Sequence, residues 1–211
     1  MQTAIAFAEI DEELAKLLKS GESRDILRTA ILDTYFPQVI GKRYGSNEYL
    51  DKLKSEILEE SGVEYKTHLK TLQKTMDSAD FQEEVFVRGG IFKREVPRIY
   101  NNTCCVSGFS LNATFNVSII DACHIIPFSE SFDDTISNGI ALCPNLHRAF
   151  DRGLISVDDE FRVVVSGSFV ESQSDYSLAK LKGRRILLPS SQAHLPKLAN
   201  FKWHRENKFK G

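Results

Sequence analysis

Five residues in one short stretch have the types and spacing for phosphodiester chemistry. His124 is followed fourteen residues later by Asn138, Asn138 nine residues later by His147, and His147 four residues later by Asp151. Asp121 stands just upstream. A neutral imidazole can take a proton from water near pH 7. A hard divalent cation can neutralise charge on a scissile phosphate and on its leaving oxygen. An asparagine amide can hydrogen-bond across a loop and hold both in register. On a helix, His147 and Asp151 are i and i+4 and share a face. Asp151 can then bind a metal directly or hold the His147 ring from behind. Strand alternation puts Asp121 and Cys123 on one side. Oxygen suits magnesium better than thiolate does, so Asp121 is the preferred acidic ligand at this stage.

The elements that must position these groups can be read locally. Val117, Ile119 and Ile120 are β-branched and open a strand running to about Cys123. Pro127 ends it, and a polar loop runs from Ser129 to Ser137. A helix is expected from about Pro144 to Arg152, with Gly153 as its stop. Further out, Leu154–Val157 and Phe161–Val165 flank Asp158-Asp159-Glu160 and predict a β-hairpin. A strand is expected near Cys104–Val106. Upstream, helices are expected over 7–19, from Ser23 to Phe36, from Ser46 or Asn47 to Gly62, and from Tyr65 to Met76. Asp80 to Tyr100 predicts one helix or two, with Gly89-Gly90 and Pro97 as the places for a break or kink. Residues 190–211 read as polar and irregular, anchored by Trp203.

Composition bounds the answer. The chain has 211 residues, 42% apolar and 27% charged, which fits a globular protein with a real core. No run of eighteen apolar residues is present, so no membrane span is expected. Cysteines 104, 105, 123 and 143 form no secreted-type framework, which points to a reducing, cytoplasmic setting. No pair has CxxC spacing, which argues against structural Zn2+ and for thiols packed in a core. Net charge is −2, but it is unevenly spread: residues 1–87 carry 11 basic and 17 acidic groups, and 88–211 carry 16 and 12. The excess of positive charge in the second part includes Lys93, Arg94, Arg184 and Arg185, with Arg148 and Arg152 on the expected site helix. Basic groups placed around a hydrolytic site would neutralise backbone phosphates.

The order His, Asn, His at these spacings resembles the HNH nucleases, whose fold is the ββα-metal type. The surrounding text is similar to the branch found in HNH restriction-type endonucleases. It includes Phe92 to Tyr100, Cys105-Val106-Ser107-Gly108, Ala122-Cys123-His124-Ile125-Ile126-Pro127, Asn138-Gly139-Ile140-Ala141-Leu142-Cys143 and His147 through Ile155. Gly183 to Pro189 and Trp203-His204-Arg205 extend the likeness, which covers roughly residues 88–211. One position departs: Cys123 stands where many HNH enzymes carry Asp or His as a metal ligand.

The resemblance implies an α+β protein: a helical N-terminal region (1–87), then an HNH nuclease domain (88–211) of ββα-metal type with an additional β-hairpin. It implies a DNA endonuclease in restriction or phage defence, with His124 as general base and Asn138 fixing the loop. His147 with Asp121 or Asp151 would hold the metal, Mg2+ before Mn2+ or Ni2+. Double-stranded DNA is the expected partner, contacted by the basic residues above. Two alternatives stand beside it: a non-catalytic nucleic-acid-binding module that keeps the fold, and the nuclease effector half of a larger signalling system. A single site cuts one strand per engagement, so a homodimer joined through residues 1–87 is also expected.

Overall fold

The computed structural model describes residues 10–35, 47–111 and 118–211. The chain divides into two compact units, Met1–Lys52 and Leu53–Gly211. In the first unit lie α1 (Glu12–Leu17) and α2 (Gly21–Tyr35). Asp11 caps α1, its carboxylate accepting from the Glu13 and Leu14 amides. The expected start of α2 at Ser23 moves to Gly21, and Ser20 accepts from the Ser23 amide. Leu14, Leu17, Leu18, Ile26 and Ile31 are exposed. The part of the first helix before residue 10 lies outside the described residues.

Helix α3 (Asn47–Glu59) contains the division between the units. Two more helices follow, α4 (Gly62–Thr75) and α5 (Ser78–Ile99). Gly62 opens α4 rather than closing α3: Ser61 and Glu64 form a reciprocal capping box, which fixes the start there. Helix α5 is one unbroken element of 22 residues, capped by Asp77, so neither Gly89-Gly90 nor Pro97 ends it. Tertiary packing outweighs the glycine penalty, because Ile91, Phe92 and Val96 are all buried along this helix. The same helix buries Arg88, whose guanidinium donates to Glu84 at 2.8 Å and to Glu56 at 2.7 Å. That pair ties α5 to α3.

The site is carried by β1 (Asp121–His124) and β2 (Gly139–Leu142), an antiparallel pair in which Asp121 faces Leu142 and His124 faces Gly139. Between them, residues 125–138 include the single-turn helix α6 (Phe128–Ser131). Helix α7 (Pro144–Asp151) follows, with Pro144 at its first position, where its missing N–H costs nothing. Gly153 closes it at φ +69°, and a side chain there would run into the Lys208 carbonyl. The expected hairpin forms from β3 (Ile155–Val157) and β4 (Val163–Val165). Cys104–Val106 is not a strand: Cys105 donates to Ala141 and accepts from Leu187, while Cys104 bonds within its own turn, donating to Phe109 and accepting from Gly108.

Residues Leu198–Asn207 form a helix, α8, where irregular chain was expected. Its anchors are Phe201 and His204, both buried, while Trp203 is only half-buried. The mixed helix-and-sheet architecture is α+β. Among the described residues, no helix is long and apolar enough to cross a membrane.

Candidate functional site

Strand β1 distributes the chemistry by alternation. Asp121 and Cys123 face α7; His124, at the strand's end, faces α5. On the α7 side, Cys123, His147 and Asp151 each offer one donor atom, and the three atoms lie within 4.8 Å of one another. His147 Nε2 is 3.4 Å from Asp151 Oδ2, and Cys123 Sγ is 4.0 Å from Asp151 Oδ1. Asp121 stands outside this trio, at the other ring nitrogen: its Oδ2 lies 3.2 Å from His147 Nδ1. Burial, and then the Asp151 charge, hold the Cys123 thiol well above its ordinary pKa. The donors fit a metal ion: a thiol, an imidazole and a carboxylate converge, and the thiol would give up its proton on binding.

On the α5 side, the His124 ring stacks on Phe92 with centroids 4.0 Å apart and planes 10° apart. Helix and strand come this close because residue 139 is glycine. A methyl group at Gly139 would sit 2.7 Å from Val96 Cγ2 and 2.9 Å from Phe92 Cε2. His124 Nε2 is 2.7 Å from Asp134 Oδ1. Asp134 is buried, at 2% exposure. No reading of the sequence singled it out. The only local signal was an Asp-Asp pair at 133–134 in a polar loop, and such pairs are ordinary turn chemistry.

Asn138 directs its side-chain hydrogen bonds to the loop and to α8, not to His124 or the donor trio. Its fully buried amide closes the loop: Oδ1 accepts from the Ile126 amide at 2.9 Å, and Nδ2 donates to the Ile126 and Asp133 carbonyls at 2.9 and 3.0 Å. Asn200 of α8 donates to the same Oδ1 at 3.0 Å.

The expected DNA-contacting residues are dispersed. Arg148 and Arg152 are exposed on or beside α7, Lys93 and Arg94 on α5, and Arg184 and Arg185 beyond β4. Arg94 is engaged by Glu95 at 2.8 Å. Arg184 borders a cavity of about 500 Å³ beside the first turn of α7, lined also by Phe109, Leu146 and Tyr176 and holding none of the site residues. A second group of donors, Glu56, Glu60 and His68, converges on the helical side. There the Glu56 oxygen facing His68 is already held by Arg88 at 2.7 Å, so a cation occupies that place.

The strand pair and α7 thus carry an imidazole held by a buried carboxylate and, one residue earlier on β1, a thiol that converges with an imidazole and a carboxylate. Residues 104–158 match the family model for HNH endonuclease. A solved structure described as a modification dependent TagI restriction endonuclease aligns at 22% identity with a TM-score of 0.43, over 55% of this chain and 36% of that one. The chain thus spans about a third of that protein's length. A comparison with curated proteins gives no match.

Proposed function

We propose that the chain is a metal-dependent DNA endonuclease of ββα-metal type, with β1, β2 and α7 as the ββα unit. The observation that supports this reading is the convergence of Cys123, His147 and Asp151 within the segment that matches the HNH endonuclease model, with His124 the next residue after Cys123 on β1. His124 takes the proton from the attacking water. Cys123, His147 and Asp151 would hold a divalent ion, and Asp121 fixes the His147 ring through Nδ1. A bound ion would neutralise charge on the scissile phosphate and the leaving 3′ oxygen. Asn138 holds the loop that brings Asp134 to His124. Arg148 and Arg152, exposed beside His147, contact flanking phosphates.

A thiol in the donor set suits Ni2+, Co2+ or Zn2+ better than Mg2+, which displaces Mg2+ as the first choice. Free thiols and a DNA substrate fit a reducing cytoplasm. A restriction or defence role is carried only by the motif likeness. No observation on the described residues supports the homodimer. The test is duplex cleavage across a panel of divalent ions. The His124→Ala protein should stay folded and bind metal, but cleave roughly 10²- to 10⁴-fold more slowly. Cleavage at the wild-type rate by that variant would refute the assignment. A wild-type protein that binds DNA yet cleaves with none of the ions would favour the non-catalytic module, which Cys123 at a ligand position makes the nearest rival.

A further inference from the structure

The direction of the His124 ring is set by Asp134, Phe92 and Phe128. Its Nε2 faces Asp134 at 2.7 Å. A carboxylate only accepts hydrogen bonds, so the hydrogen on the neutral ring must lie on Nε2. Nδ1 is then left with a free lone pair, and among the described residues it has no hydrogen-bond partner. The ring face is fixed by the Phe92 stack, and Phe128 tilts against it with centroids 6.3 Å apart. Asp134 is itself confined: its side chain is 3% exposed, and the wholly buried Tyr65 of α4 lies within its electrostatic reach. Asp133, beside it, is held by its bond from the Thr135 amide at 2.8 Å and packs against Gly62 at the start of α4.

We infer that Asp134 is a positioning residue that locks His124 in the Nε2–H tautomer, so that Nδ1 is the atom that accepts the proton of water. This rests on the nuclease reading only for its catalytic consequence; the tautomer itself belongs to the resting protein. The logic is that of any base oriented by a third group: the carboxylate acts on geometry and tautomer while remaining clear of the substrate. It also assigns a task to α4 and α5, which lie outside the matched segment and form the wall against which Asp134 and His124 are set.

The tautomer can be read directly in the full chain, without metal or DNA. In protein labelled with 15N-histidine, at a pH where imidazoles are neutral, two-bond 15N–1H correlations should show His124 with a protonated Nε2 and a bare Nδ1. The His124→Ala protein identifies the signal. Wild-type His124 with its proton on Nδ1 overturns the inference whatever the variants do. Asp134→Ala should give a tautomer mixture and slow turnover of bound DNA roughly 10- to 100-fold, with DNA affinity unchanged. Asp134→Asn keeps the side-chain shape but can accept through its oxygen or donate through its amide, so it should release the tautomer and slow cleavage while preserving the fold. A folded Asp134→Ala protein with wild-type tautomer and wild-type turnover overturns the inference. If Asp134→Ala does not fold, Asp134→Asn decides: loss of the Nε2–H form in that variant with no change in rate would separate tautomer from catalysis and refute the role. The nuclease reading fails differently, through a His124→Ala protein that still cleaves, and leaves the tautomer measurement standing.

Discussion

In the proposed site, Cys123 is the residue that would decide which metal ion is held. It is fully buried between the strand pair and α7, and its thiol is pushed up by burial and by Asp151. A thiol in that position should select a borderline ion. Replacing Cys123 by Asp restores an oxygen donor, and the preferred ion should move from Ni2+, Co2+ or Zn2+ toward Mn2+ and Mg2+. Cleavage rates across the same ions, wild type against Cys123→Asp, check this; an unchanged ion preference would remove Cys123 from the donor set. His124, His147 and Asp151 were legible in the sequence because their spacing is fixed by local structure: a strand end, and one turn of helix. Asp134 was not legible. It reaches His124 only because the loop folds back over Asn138, and no periodicity records that closure. The choice between Asp121 and Asp151 likewise depended on which ring nitrogen each would meet, which is a matter of side-chain direction across two elements.

At the scale of elements, two contacts set the site's walls, and each has a measurable signature. The first is the close approach of α5 to β2 at Gly139. A Gly139→Ala methyl would collide with Val96 and with the Phe92 ring on which His124 stacks. Overpacking of this kind costs about 1–3 kcal/mol. The expected result is a lower denaturant midpoint together with a slower cleavage step in the protein that remains folded.

The second contact is the docking of α8. His204 Nε2 donates to the Phe150 carbonyl at 3.1 Å, so Nδ1 accepts from the Ser156 hydroxyl at 2.8 Å. Burial is the first cause that lowers its pKa to about 4. The unfolded chain takes up this proton near the ordinary value of about 6.5. Acid therefore favours the unfolded state, and stability should fall as the pH drops from about 6.5 toward about 4, by roughly 3 kcal/mol in all. Urea titrations at several pH values test this: His204→Asn should be less stable at neutral pH and should lose a smaller amount on acidification. Helix α8 was missed from sequence because its apolar residues are few and its buried histidine is a polar type, so no amphipathic stripe announces it. Helix α5 was half legible: a helix over Asp80 to Tyr100 was expected, while its glycines and proline argued for a break that packing prevents.

For the whole molecule, the division of the chain matters more than its family segment. The second compact unit begins at Leu53, and α5 runs without a break through residues 87 and 88, where charge and motif content change. A chain starting at Leu53 should melt cooperatively. One starting at Arg88 should not, because it loses Tyr65, Leu69 and the Glu84 and Glu56 partners of Arg88. Calorimetry or circular dichroism on the two shortened chains checks this; a cooperative melt from the shorter one would show that α4 is dispensable. The boundary at 88 was drawn from where charge and motifs change, and neither reports which helices a core shares. The Phe92–His124 stack adds a consequence for engineering. Residues 104–158 contain every group that would react, yet the ring beneath the base comes from residue 92 and the latch behind the metal helix from residue 204. The family segment is therefore not a portable cassette: moved alone into a chimera, it would carry the reagents without the mould that aims them.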